Sequence, residues 1–328
     1  MQPTDFAKHL TDYLSSYLPG QRGMSAHTIR SYRDTFSLFL GFCKDVKNVR
    51  IEKFTLSKFN STLIEEFLRW LEIERGNSVA TRNQRLAAIH AFCRYVQTEE
   101  PGQLLLCQRN LAIPFKKQPK THIQYLSAQE LTGIFAKPNL NTQTGRRDLL
   151  LLSLLYDTGA RVSELIDLKV RDVRLDDFPV VKLHGKGNKI RQVPLMKKTA
   201  ALLKNYIAEN RLDVPEKGDC PLFFNRQRQK LTRPGITYIL QKYTDGNKVT
   251  PHVLRHSKAM HLLQAGVNIV YIRDLLGHVD IATTETYARA DTEMKRTALE
   301  KTYKDLTPSG TPTWNSDSDL MAWLHNLG

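Results

Sequence analysis

Apolar residues recur every three or four positions through the first third of the chain, and this spacing predicts helices. Ile29, Tyr32, Phe36, Phe39 and Leu40 make one stripe behind Ser25, a residue suited to capping a helix start. Leu63, Phe67, Leu68 and Leu71 make a second, and Leu86, Ile89, Phe92, Cys93 and Val96 a third that opens at Ser78. With a short helix from Phe6 to Tyr17 they predict a small helical bundle whose aromatic residues are core. Arg30, Arg33, Arg82 and Arg85 fall off the stripes, where they meet either phosphates or water.

The periodicity stops at Ile113-Pro-Phe-Lys-Lys-Gln-Pro-Lys-Thr-His122, a stretch with two prolines that reads as an extended basic linker containing Lys116 and Lys117. It sets the expected organisation: a helical domain over 1–112, a linker over 113–122, a second domain over 123–305 and a tail over 306–328. In the second domain Ser127 and Glu130 have capping-box spacing. A helix over 147–157, a break at Gly159 and a helix carrying Arg161 to Leu168 follow. The period then switches to two. Residues 170–175, 179–183 and 189–193 predict a small antiparallel sheet, with Gly185-Lys-Gly-Asn188 at its hairpin. Helices return near 198–209, 233–243, 252–265, 269–276 and 282–289. After a loop over 309–319, Leu320, Trp323, Leu324 and Leu327 form a last apolar stripe. The fold class is therefore mainly α with a small antiparallel β-sheet (α+β).

Composition narrows the function. The 328 residues carry 48 Lys+Arg against 33 Asp+Glu, a formal net charge of +15. The excess is shared: 17 against 11 up to residue 117, giving +6, and 31 against 22 beyond it, giving +9. Positive charge spread over both domains fits a polyanion that each of them touches. No apolar run is long enough to span a bilayer and the N-terminus lacks a signal core, which predicts a soluble, cytoplasmic, nucleoid-associated protein with no membrane partner. Cys43, Cys93, Cys107 and Cys220 are far apart, with neither zinc-ligand nor disulfide-framework spacing. No metal or cofactor is expected.

Candidate chemistry gathers in the second domain. His252 and Arg255 stand three apart after Pro251, a favourable first helical residue, so they share one face at a helix start. Such a terminus suits an anion, although a surface pair fits the same spacing. Arg161, in Thr158-Gly-Ala-Arg-Val-Ser-Glu-Leu165, opens a helix, and Glu164 is either its salt-bridge partner or an orienting group. Lys186 sits between two glycines, either as solvated charge or as a mobile cation; Gly-Lys-Gly lacks the P-loop pattern. His278 ends Asp274-Leu-Leu-Gly-His278, and Tyr287 follows nine residues later. A tyrosine, with a pKa near 10, is a weak nucleophile without a base or cations beside it. Tyr271 and Tyr303 compete for that role.

In this order, T-G-x-R-x-S-E-L, a glycine-flanked lysine, H-x-x-R, L-G-H and a tyrosine resemble the tyrosine recombinase family of phage integrases and Xer-like chromosome-dimer resolvases. The resemblance covers the catalytic half, and the helical half is similar to the family's SAM-like core-binding domain. It implies a C-shaped clamp on double-stranded DNA and a homotetramer on paired recombination sites. Catalysis would then fall to Arg161, Lys186, His252, Arg255, His278 and Tyr287, with Glu164 in support. Arg161 and Arg255 would hold the scissile phosphate and His278 would donate to it. Tyr287 would attack, Lys186 would protonate the leaving oxygen and His252 would assist proton transfer. A 3′-phosphotyrosyl link conserves the ester's energy, so no ATP site is implied. In the family, exchange runs through a Holliday junction, and a C-terminal helix can dock into a neighbouring protomer. Arg30, Arg33, Arg82, Arg85, Lys116 and Lys117 are the expected DNA contacts outside the catalytic half. A type IB topoisomerase shares the chemistry, and a non-catalytic DNA-binding protein would use the same cations only for grip.

Overall fold

A computed structural model describes the chain apart from residues 1, 119–122, 186, 188, 245–248, 279–280, 291–321, 323–324 and 327–328. Lys186, Tyr303, Leu320, Trp323, Leu324 and Leu327 therefore lie outside the described residues. The chain divides into two compact units, Met1–Thr121 and His122–Gly328. No described helix is long and apolar enough to cross a membrane.

The first unit is helical. Helix α1 (Asp5–Asp12) runs into a wider helical turn over Tyr13–Gln21, followed by α2 (Ala26–Asp45), α3 (Ser61–Ile73), α4 (Val79–Glu99) and α5 (Leu104–Leu111). Ser25 and Ser78 cap α2 and α4 through their side chains, accepting from the backbone N–H of Thr28 and Thr81. The three stripes meet in an aromatic core in which Phe6, Phe36, Phe59 and Phe92 pack edge-on or tilted. The α5 helix is not anticipated by the pattern, because Leu104-Leu-Leu106 is an unbroken apolar run beside Pro101 and Gly102. What holds it is tertiary: its buried Asn110 donates from Nδ2 to the Phe59 carbonyl at 2.7 Å.

The expected linker is partly structured. Ile113 is buried in the first unit's core, and Lys116 exchanges two hydrogen bonds with Asn83, at 2.8 and 3.1 Å. Lys116 Nζ also pairs with Glu72 at 2.8 Å. This segment takes up Arg82: the guanidinium is buried and donates to the Pro114 carbonyl and to Asn83 Oδ1, each at 3.0 Å. Arg82 is thus an internal tie and not a surface phosphate contact. Arg85 is also engaged internally, donating to Ser31 O and Thr35 Oγ1, whereas Arg30, Arg33 and Lys117 are exposed.

In the second unit α6 (Ala128–Ala136) carries the full Ser127–Glu130 capping box. Next come α7 (Gln143–Thr158) and the short α8 (Val162–Ile166). Strands β1 (Val173–Arg174), β2 (Val180–His184) and β3 (Ile190–Pro194) form an antiparallel sheet in the order β1-β2-β3. The first strand is shorter than expected because Val170–Asp172 closes a tight helical turn. Helices α9 (Lys197–Glu209), α10 (Arg233–Lys242), α11 (Pro251–Gln264), α12 (Ile269–Leu276) and α13 (Ile281–Ala290) complete the unit. Leucines of α7, buried all round, form the centre of its core. Pinned there, the C-terminal end of α7 is a fixed platform for Gly159 and Arg161.

Candidate active site

Two left-handed glycines build the floor of the site. Gly159 ends α7 at φ +56° and Gly277 ends α12 at φ +64°, a region in which a side chain is strained. They also permit close approach. A Cβ on Gly159 would stand 2.6 Å from Leu276 Cδ2, and one on Gly277 2.9 Å from Arg191 Nη1. The two helix ends therefore come together, and their unsatisfied carbonyls face guanidinium groups. Arg255, on α11, is buried and donates from Nη1 to Gly159 O at 2.5 Å and from Nη2 to Leu276 O at 2.7 Å. Arg161 donates from Nη2 to Gly277 O at 3.0 Å. Each guanidinium has five N–H groups, so the carbonyls fix its plane and leave other donors for an anion.

Glu164 balances this charge from below. It is buried, and it accepts from the Arg161 N–H and Nη1, both at 2.8 Å, and from Arg191 Nη1 and Nη2 at 3.0 and 2.7 Å. Burial alone would raise its carboxyl, but the hydrogen bonds from Arg191 and Arg161 outweigh that and hold it below the usual range. Glu164 is thus the salt-bridge partner of Arg161 and of Arg191 at once. Arg191 was not anticipated, though β3 carries a signal for it. Ile190 is exposed while Arg191 and Val193 take the inward positions, so an arginine stands where alternation asks for an apolar residue. Its Nε donates to Leu275 O at 2.9 Å, tying the sheet to the end of α12.

His278 lies just past Gly277, its Nδ1 2.8 Å from the hydroxyl of buried Thr284. Burial, then the charges of Arg255 and Arg161, pull its pKa down to about 4, so the ring is neutral at pH 7. Its ring stacks on Tyr287, with centroids 6.3 Å apart and planes 10° from parallel. Tyr287 is 4% exposed, whereas its competitor Tyr271 is 71% exposed on α12. Burial raises the Tyr287 phenol while Arg255 and Arg161 pull it the other way. The hydroxyl meets His256 Nδ1 at 2.8 Å.

Arg161, Glu164, Arg255, His278 and Tyr287, chosen from a span of 127 positions, thus converge. Burial, then the charges of Arg255 and Arg161, lower the pKa of His252 at the start of α11, and the histidine one turn further on, His256, faces the tyrosine hydroxyl. The sequence contained that hint in the four-residue spacing, which puts both rings on one helix face. Thr284 carried no such hint. The lysine-bearing hairpin is closed by Gly185 N–H donating to Lys189 O at 2.7 Å.

The model of the phage integrase family matches residues 124–294, and that of the phage integrase N-terminal SAM-like domain matches residues 10–100. The chain is a tyrosine recombinase of the phage integrase family. The recombinase is similar to tyrosine recombinase XerD of Oceanobacillus iheyensis, 33% identical over 298 residues that cover 89% of this chain and 96% of that one. It is also similar to tyrosine recombinase XerC of Bacillus pumilus, 30% identical over 309 residues covering 92% and 97%. Among solved structures, XerH site-specific recombinase in a post-cleavage complex with palindromic difH substrate aligns with a TM-score of 0.68 at 22% identity. That alignment covers 86% of this chain and 82% of that one, and at this identity it speaks for the fold. The recombinase is accordingly a DNA-binding enzyme that cleaves and rejoins DNA strands.

Proposed function

We propose that the recombinase exchanges strands between two specific DNA sites, with Tyr287 as nucleophile and a Holliday junction as intermediate. The observation that carries this reading is buried Tyr287, its ring stacked on His278 just past the carbonyls of Leu276 and Gly277 that hold Arg255 and Arg161. The scissile phosphate binds on the N–H groups of Arg161 and Arg255 that the helix-end carbonyls leave free, as charge-assisted hydrogen bonds. Neutral His278 adds a donor if its proton is on Nε2. That tautomer follows when Thr284 Oγ1 donates to Nδ1.

Tyr287 Oη attacks phosphorus as the bond to the 5′ oxygen breaks, leaving a 3′-phosphotyrosyl link and a 5′-hydroxyl. Lys186 supplies the leaving oxygen's proton. The reverse reaction with a 5′-hydroxyl from the second site joins the strands, and four protomers on two sites complete the exchange. Support for recombination as the outcome comes from the relatives named tyrosine recombinase XerC and XerD, matched along almost their full length. In the test, the chain is incubated with two labelled duplexes carrying the site at which it forms its covalent adduct. The expected products are four-armed junctions and recombinant duplexes. Relaxation of supercoiled DNA with no joining of the two duplexes would replace this reading with a topoisomerase-like one.

A further inference from the structure

We propose that His256 is a catalytic residue of strand cleavage, the group that takes the phenolic proton of Tyr287 through its Nδ1. The proposal rests on the reading of Tyr287 as nucleophile and assigns a residue which that reading leaves without a role. Its ground is geometric. Nδ1 lies 2.8 Å from the Tyr287 hydroxyl and the ring centroids are 5.6 Å apart, so in the tautomer with its proton on Nε2 the ring can take the phenolic proton directly. His252, the histidine of the H-x-x-R pair, has its ring centroid 6.4 Å from that of His256, and it is His256 that meets the hydroxyl.

The groups around His256 favour an unprotonated ring before the reaction. Its own helix presents His252 and Arg255, the tyrosine comes from α13, and His278 from the end of α12 is close enough to be influenced by it. Burial first, then His252 and Arg255, lower its pKa from the ordinary 6.5. A phenol whose own pKa is raised stays protonated and needs an acceptor. In the step, the Tyr287 Oη–P bond forms and the P–O5′ bond breaks. The phenolic proton passes to His256 Nδ1 and the 5′ oxygen gains one from Lys186. The imidazolium so formed is offset by the negative charge on the phosphoryl oxygens. On rejoining, the proton returns to the tyrosine.

The experiment is single-turnover cleavage of a nicked duplex that carries the adduct site, run with the full chain across pH. His256→Asn is the decisive variant, since its Oδ1 can accept the tyrosine's hydrogen bond but cannot hold the proton. We expect His256→Asn and His256→Ala both to slow cleavage by about 10²- to 10⁴-fold with DNA affinity retained. The acid limb of the wild-type pH profile should vanish in both. Free imidazole should restore part of the rate to His256→Ala in proportion to its unprotonated fraction. Cleavage by His256→Asn at the wild-type rate overturns the proposal and leaves a structural hydrogen bond in its place. Tyr287→Phe separates the two layers: an adduct that persists there removes the nucleophile assignment and this proposal together. An adduct lost there, with His256→Asn unimpaired, removes this proposal alone.

Discussion

Replacing Glu164 with glutamine keeps the shape of the side chain and removes the carboxylate bound to both Arg161 and Arg191. It accepts four hydrogen bonds, two on each oxygen. An amide preserves the pair on its oxygen and turns an N–H₂ toward the donors of the other. Two charge-assisted bonds are lost at about 1.5–3 kcal/mol each. The arginines, with Arg255 buried alongside, are left without their counter-charge, and breaking a buried pair typically costs about 3–5 kcal/mol. Because Arg161 remains 31% exposed and keeps some solvation, about 3–4 kcal/mol is the expected loss. For a unit of this size that is roughly 6–16 °C in Tm. Calorimetry of the full chain measures it, and the transition of the first unit should not move. The acid dependence has a definite sign. A carboxyl held below its usual 4.5 stabilises the fold above that value, and the contribution disappears as pH falls through the lowered one. The gap between wild type and Glu164→Gln should therefore narrow on acidification. DNA, whose phosphate supplies the missing negative charge, should raise the variant's Tm more than the wild type's. A loss below about 1 kcal/mol, well under the usual cost of a broken buried pair, would refute the view that Glu164 balances the cluster.

Other outcomes follow from the same geometry. Lys186→Ala should slow cleavage of an ordinary 5′-oxygen substrate by about 10²- to 10⁴-fold, and a 5′-bridging thiol substrate far less, since a thiolate leaves without a proton; equal slowing would remove Lys186 as the acid. Thr284→Val leaves His278 Nδ1 without its partner and its tautomer unset. Cleavage should drop by about tenfold, the equivalent of one lost hydrogen bond, with DNA affinity unchanged, as read by single-turnover rates beside binding isotherms. For the DNA-free protein, His278 is held near 4 against an ordinary 6.5, so below pH 6.5 the unfolded chain binds the proton that the folded one refuses. Stability should fall from pH 6.5 toward 4, with up to about 3 kcal/mol from this ring, and urea melts across that range would show it; a His278→Gln variant that melts with the same pH slope would contradict the assignment.

Much of the fold was legible because its stripes are long. The helices α2, α3 and α4 carry repeating aromatic and aliphatic residues into the core, and the capping Ser25 and Ser78 sit where the chain enters α2 and α4. Short elements were less readable: α5 lacks a period, and it holds its place through Asn110 and packing that sequence spacing does not encode. The candidate site residues were legible as an ordered set of motifs, but not as a geometry. Arg191 and Thr284 matter only because Gly277 lets a strand, a helix end and a following helix come within hydrogen-bond reach. His252 and His256 differ by one helical turn, which spacing alone cannot resolve when both lie on one face. Arg82 misled for the complementary reason. Off a hydrophobic stripe, it was covered by the segment 113–116, whose fold onto α4 depends on Ile113 and Asn83.

The central claim is that Tyr287 carries the DNA. Its most direct test is to trap the chain on a nicked duplex, digest the adduct with protease and nuclease, and locate the nucleotide-bearing peptide by mass spectrometry. The modification should fall on Tyr287, in the peptide containing Thr283-Thr-Glu-Thr-Tyr287, as a 3′-phosphotyrosyl ester. A nucleotide found on Tyr271 or Tyr303, with Tyr287 unmodified, would contradict it.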